Sequence, residues 1–465
     1  MDFDSRACST LALQPTWLKE EHRMADSLKS NLTRRTFLKG AGVATAAAVG
    51  PTIIVRSARA KSDTLKIGQW THFVPAFDEW FDKKYCPEWG AKNGVKVVVD
   101  HISVNDLRAR AAAEVSAKKG HDLFGFLDPP PAYENVVMPM NDVVTECEQK
   151  YGKLVNLAQR ATYNPKSKKY FAVSDNWVPD PLHYRKDVWS EIGMKPDTWE
   201  HIREGSKKIK EKTGMPAGFG ISQELDTNMM LRALLWSYGA QEQDESSTKV
   251  MINSKATVEA IKLMTAIYKE SETAEVFTWD PSSNNRFFVS GKGHIIQNAI
   301  SAIRTLEKQN PELAKKAGLA LPAAGPSGKR MASEHLLHCY VVWQFAENPE
   351  MAKKFIVDLI GSYNDAFLAS EFYNFPSFSK SVSDIKGKLA ADKVNPEEYA
   401  ILGDFEKYSA YPGYPGHTTA AMDEVFNTFV IPDMFARVAK GEQSAEDSAK
   451  QAEADMKRIF AKWNK

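Results

Sequence analysis

Cysteine is scarce in this chain: four in 465 residues, at positions 8, 86, 147 and 339. Spacings that wide do not suggest a zinc site. An excess of one charge is lacking too. Lys and Arg number 60 against 59 Asp and Glu, which argues against a nucleic-acid binder held mainly by a basic surface. Three loop signatures are missing. Ser290-Gly291-Lys292-Gly293 lacks the earlier glycine and the following hydroxyl that a phosphate-cradling loop requires. There is no dinucleotide fingerprint and no Gly-x-Ser-x-Gly elbow for a serine nucleophile. His335 and His338 are three apart, but beside an expected strand such residues face opposite sides. They are read as one buried and one exposed histidine rather than a metal pair. No catalytic residue, metal or cofactor is therefore expected, and convincing repeats and low-complexity segments are absent.

What is present is a soluble globular composition, 43% hydrophobic and 26% charged, with length enough for two domains. The first sixty residues read as a leader. Arg34 and Arg35, followed by Phe37, Leu38 and Lys39, look like a twin-arginine export signal. An Ala-rich apolar run over 41–55 and a small-x-small cut at Ala58-Arg59-Ala60 complete it. The run is short for a span of roughly 20 residues, and Pro51 interrupts it. Met24 is an alternative start. Export to the periplasm is expected, with no lipid anchor after Ala60. The leader carries nine basic and five acidic residues, so its removal leaves a net charge of −3 and removes Cys8. If one pair then bridges in an oxidising compartment, Cys86 and Cys147 are the expected pair, because both precede the first crossover. Cys339, in an apolar run over 336–342, is expected to be a buried free thiol.

Past the leader the pattern is strand, helix, strand, helix, strand. Residues 64–70 (TLKIGQW) predict a strand with Leu65 and Ile67 on one face. Phe77, Trp80, Phe81 and Tyr85 follow at helical spacing. Residues 95–101 (VKVVVDH) are apolar on both faces, which predicts a strand buried in a parallel sheet. A helix to Lys119 and a strand over 121–127 come next. Such an order indicates an α/β layer of parallel strands, whose ligands bind beyond the strand carboxyl ends. The loops at 69–73, 103–105 and 128–133 are thus the first candidates for a site.

The chain turns on residues 170–189, YFAVSDNWVPDPLHYRKDVW. Two strand-like pieces flank a Pro-bounded link, read as passage from one lobe to another. Beyond it the pattern is mainly helical, with short strands over 218–221, 294–297 and 318–321. The stretch 322–328, PAAGPSG, is read as the return crossover. Trp70, Trp177, Trp279 and Tyr414 sit in expected loops with Asp, Asn or Gln nearby. A ring face beside amide and carboxylate tips suits a polyhydroxylated ligand. Asp128, Asp175, Asp180 and Asp280 also fall in candidate cleft loops, so a two-carboxylate glycoside hydrolase stays open.

The export signal, the TLKIGQW opening, HDLFGFLD, the crossover above, RFFVSGKGHIIQN and the PAAGP return occur in a distinctive order. Over residues 63–465 the chain resembles the family 1 extracellular solute-binding proteins of bacterial ABC importers. The resemblance implies a two-lobed periplasmic binding protein fold of type II-like α/β class. Each lobe would be a mainly parallel sheet with helices on both faces. Lobe 1 is expected over 61–176 and 325–380, and lobe 2 over 177–324 and 381–465. The implied function is delivery of a small solute, a sugar or polyol first, to the permease subunits of an ABC transporter by lobe closure. A polyamine or another small solute stays open, as do an anionic solute near Arg286 and binding of a partner protein. Expected ligand contacts are Trp70, Asp128, Asn176, Trp177, Asp180, Trp279, Asn285, Asn298 and Tyr414, with Ser301 also facing the cleft. A monomer without nucleic-acid partners is expected.

Overall fold

Leu65 and Ile67, fully buried on alternate positions, set the inner face of the first strand. Residues 63–334 and 336–463 are described in a computed structural model. The leader, with Cys8, Met24 and the cut at Ala60, lies outside the described residues, and so does His335. Numbering only the strands of the two main sheets and the first crossover, β1 (Thr64–Trp70), β2 (Lys96–Ile102) and β3 (Leu123–Phe126) come first. They are followed by β4 (Val173–Ser174), β5 (Asn176–Trp177), β6 (Leu182–Arg185), β7 (Ile295–Gln297), β8 (Ala317–Ala320), β9 (Cys339–Val342) and β10 (Phe375–Pro376).

The first sheet has the order β2-β1-β3-β9-β4. β1 pairs β2 and β3 in parallel, with Leu65 opposite Val97 and Ile67 opposite Leu123. β9 is antiparallel to both β3 and β4. The strand built on Val97, Val98 and Val99 is the sheet's edge, not a strand covered on both faces. Val98 is 41% exposed, because it points to the face of β2 opposite that of its more buried neighbours Val97 and Val99. Helices Pro349–Gly361 and Asn141–Tyr151 pack together beside this sheet. Phe355 sits edge-on to Tyr85, Trp89 and Phe81.

The second sheet has the order β8-β6-β7, and β6 is antiparallel to both neighbours. A parallel bridge from Gly218 to Ile296 extends it. The expected mainly parallel arrangement is therefore corrected here. The crossover, rather than a helix returning over the same sheet, delivers β6, so no βαβ unit dictates its direction.

Each sheet carries its own apolar core. One gathers Leu65, Phe124, Val341, Phe355 and Tyr363; the other gathers Trp199, Leu234, Ile261, Ile296 and Met456. Helix starts follow from side-chain caps. Thr198 accepts from the His201 amide, Ser254 from Thr257, and Glu224 from Asp226 and Thr227. The chain leaves the first core at Val178 and joins the second at Leu182. It comes back between Met331 and Ala332. Leu389, Tyr399, Leu402 and Phe405 pack in the first core, while Glu398 accepts from Lys186 and from the Leu319 amide beside the second sheet. The 385–408 stretch therefore straddles both cores. Ser409–Ala410 pairs with Ala332–Ser333 before the tail helices close on the second core.

Candidate functional site

The loops after β2 and β3 face segments of the second core. Between them is a hollow of about 270 Å³ lined by Val104, Asn105 and Asp128 from one side and Glu224, Pro281 and Phe426 from the other. Arg108 crosses it. Its guanidinium pairs with Asp128 on its own side, and with Asp423 at 3.0 Å on helix Ala420–Asn427 of the second core. Burial alone would weaken the Arg108 charge, but the two carboxylates more than reverse this and hold its pKa up. Asp128 is raised to about 6, because burial and the neighbouring Asp423 outweigh Arg108.

Deeper in, the crossovers meet the second core. Asp180 accepts from Gln297 Nε2 at 2.9 Å. Gln297 is tied to Asn284, whose Nδ2 also donates to Asp226 Oδ2 at 2.8 Å. Asn298 Nδ2 donates to Asn284 Oδ1 at 2.8 Å and to Asn285, and Asn285 Nδ2 reaches Ser301 Oγ at 3.3 Å. The backbone N–H of Asp180 donates to Glu334, which also accepts from Ser409. Burial first, then like charge, raises the pKa of three of these acids. Asp226 acts on Asp180 and Glu224, and Asp180 acts on Glu334. Asp226 is pushed up to about 7 by burial.

The first core contributes His72, Asp175 and Tyr373. His72 Nδ1 accepts from the Val74 amide, which leaves Nε2 to donate to Asn374 Oδ1 at 3.0 Å. Burial lowers the His72 pKa to about 4, so the ring is neutral. Asp175 holds His338 at 2.6 Å, Tyr363 at 3.0 Å and Asn176 at 2.9 Å.

The predicted residues thus divide. Asp128 lines the hollow. Asp180, Asn285 and Asn298 share one hydrogen-bonded network through Gln297 and Asn284. Asn176 is buried against Asp175. Trp177 is 3% exposed and packs on Phe375 in the first core. Trp70 lies in that core beside His72. Trp279 packs on Phe287 in the second. Tyr414 stands apart from the strand-end loops, tilted against Trp236 with Lys329 over its ring. It lines a larger cavity of about 800 Å³ with Arg160, Arg330 and Tyr411, and no loop following β1, β2 or β3 borders that cavity. The strand-end rule favours the smaller hollow despite its size.

Glu224, Asp226, Gln297, Glu334 and Tyr373 escaped the sequence reading. A signal existed for three of them: Glu224-Leu225-Asp226 caps a helix just after the short segment 218–221, and Gln297 directly precedes Asn298. His338 is held by Asp175, and no group of three His, Cys, Asp or Glu among the described residues converges for a metal. Cys86, Cys147 and Cys339 are all free, buried thiols. The expected Cys86–Cys147 bridge is therefore corrected, and Cys339 is as expected. Burial pushes all three thiols up, Cys147 to about 12.

Residues 84–397 match the family model described as bacterial extracellular solute-binding protein, and residues 31–51 match that of the twin-arginine translocation pathway signal sequence. A probable ABC transporter-binding protein of Deinococcus radiodurans is 25% identical over 201 residues, 40% of this chain. The match spans less than half, 46%, of that relative's length. Among solved structures, maltose-bound MalE3 of T. maritima superposes with a TM-score of 0.71 at 19% identity, covering 85% of this chain and 99% of that one. A sugar transporter from Arthrobacter chlorophenolicus with bound laminaribiose gives 0.70 at 15% identity, with 85% and 99% coverage. An Agrobacterium radiobacter solute-binding protein in complex with ribitol gives 0.65 at 15% identity, with 85% and 98% coverage. At these identities the likeness is one of fold: two lobes of α/β build.

Proposed function

The chain belongs to the bacterial extracellular solute-binding proteins and carries a twin-arginine signal for export to the periplasm; from this we propose that it captures a small solute between its lobes. The solute class is sugar or polyol, as the maltose, laminaribiose and ribitol neighbours suggest. The protein releases its cargo unchanged to the permease of an ABC importer and acts as a monomer. We assign 61–176 and 325–380 to the first lobe and 177–324 and 381–465 to the second, with 385–408 hung between the two cores. Asp128, Asp180, Asn285 and Asn298 are the assigned contacts. Trp70, Trp177 and Trp279 shape the walls from within the cores, and Asn176 holds the crossover through Asp175.

The observation that carries this reading is the hollow between two separately cored halves, bordered by Asn105, Arg108 and Asp128 on one side and by Gln223, Glu224 and Asn427 on the other. A bound molecule that touches both halves favours the closed arrangement, because only that arrangement makes both sets of contacts. A thermal-shift screen of the exported protein over sugars, polyols, polyamines and amino acids tests it. A compound present at a hundred times its Kd stabilises by about 2.7 kcal/mol. At roughly 2 cal/mol/K per residue over about 400 residues, that raises Tm by about 3 °C. Release of products from oligosaccharides with turnover would replace this reading with hydrolysis.

A further inference from the structure

Four carboxylates interact with one another where the crossovers reach the second core. Asp180 and Glu334 come from the two crossovers, and Glu224 and Asp226 from the start of helix Leu225–Ser237. The Asp180 amide donates to Glu334, and Gln297 and Asn284 link Asp180 to Asp226. Every donor to these acids is neutral: Gln297, Asn284, Ser409, Thr227 and backbone amides. Among the described residues, no Lys, Arg or His acts electrostatically on Asp180, Asp226 or Glu334. Several other acids of this chain have a cation of their own, while buried Asp122 accepts from the backbone amides of Lys66, Glu347 and Asn348. Asp128 has Arg108, Glu242 has Arg232, and Glu307 has Arg304.

A second observation points into the same place. Tyr373, 1% exposed, reaches in from the first core, close enough to feel Asp226 and Asp180, and its hydroxyl has no hydrogen-bond partner. Glu334 Oε2 is likewise buried and unpartnered. Of the four acids, Glu224 lines the 270 Å³ hollow. Glu224 itself is engaged with the helix cap, which leaves the other three acids to face a ligand.

Uncompensated carboxylates in a low-dielectric site are costly, and a hydrogen-bonded cation is the group that relieves them. A neutral sugar supplies hydroxyl donors but no charge. A metal ion supplies charge, but no three His, Cys, Asp or Glu among the described residues converge on one point. Acids spread more widely than a coordination shell suit a molecule that carries its charge on a carbon frame. We propose that the cleft takes a solute bearing a basic nitrogen, an ammonium on a sugar, polyol or short aliphatic chain, held by Asp180, Asp226 and Glu334 with Tyr373 meeting it from the opposite lobe. The inference rests on the solute-binding reading and narrows its chemistry. The raised pKa of Asp226 accords with it, since burial without a counter-charge favours the proton.

The test is titration calorimetry on the exported full-length chain with matched probes: glucosamine against glucose, and 1,4-diaminobutane against 1,4-butanediol. The amine of at least one pair is expected to bind at least tenfold more tightly than its hydroxyl counterpart, as a charged hydrogen bond to a buried carboxylate supplies. Preference for glucosamine assigns an amino sugar, and preference for the diamine assigns a linear amine. Asp226→Asn and Glu334→Gln are expected to weaken the preferred amine at least tenfold, and Tyr373→Phe severalfold. Equal binding within both pairs, or binding of neutral sugars and polyols alone, overturns the inference and leaves the solute-binding reading intact. Failure of these probes and of the whole screen above overturns both. The wild-type comparison decides the matter even if a variant does not fold.

Discussion

Replacing Asp226 by Asn should stabilise the protein in the absence of solute, and only at neutral and higher pH. Burial raises the Asp226 carboxyl to about 7 from its ordinary 3.8. A group whose folded pKa is raised favours the fold while it is protonated. Its contribution falls as pH climbs from about 4 to about 7, and is constant beyond. The full shift corresponds to about 4 kcal/mol. Asp226 keeps part of its surface open and shares its proton with Asp180 and Glu224, so about half, roughly 2 kcal/mol, is the figure to expect. Two terms oppose the gain. A carboxylate in the first turn of helix Leu225–Ser237 is favoured by roughly 0.5 kcal/mol. The Asn284 bond to Asp226 Oδ2 survives in part, because an amide oxygen also accepts. The burial term wins. Asp226→Asn should therefore raise Tm by about 2 °C at pH 8 and leave it unchanged at pH 4, measured by calorimetry. A difference that stays flat from pH 4 to 8, or a variant less stable at pH 8, would refute the claim that this carboxylate is held without a counter-charge.

Arg108→Ala leaves Asp128 and Asp423 facing each other across the lobes. With Arg108 about one-third exposed, a loss of about 1–2 kcal/mol is expected, with at least threefold weaker solute binding by calorimetry. His183 is held neutral by burial, at about 4 against 6.5. A lowered folded value contributes stability above pH 6.5 that is lost as pH falls to 4, up to about 3 kcal/mol. His183→Gln should therefore flatten the fall in urea midpoint across that window. The three thiols, buried and raised in pKa, should react with a disulfide reagent only after unfolding, all three together. A Cβ on Gly293 would stand 1.8 Å from the Phe287 ring. Gly293→Ala should cost about 1–3 kcal/mol through overpacking of the second core, read as a lower Tm.

Local chemistry made much of the architecture legible. The Leu65 and Ile67 alternation and the Pro-bounded link before Leu182 each act within a few residues, so sequence alone placed β1 and the first crossover. The export leader was legible for the same reason. Strand direction and edge position were not. Val97 to Val99 read as covered on both faces, yet β2 has a partner on one side only, a fact that belongs to the sheet. Trp177 and Trp279 looked like ligand platforms, because an indole in a loop reads the same whether it points outward or into a core; packing against Phe375 and Phe287 turned them inward. Asp180 was visible as an acid beside a crossover, but its meaning came from Asp226 and Glu334, which lie 46 and 154 positions further along the chain. Whether a carboxylate is a solvated turn or one of several uncompensated charges depends on dielectric and neighbours, and those exist only once two cores have closed on the same few side chains.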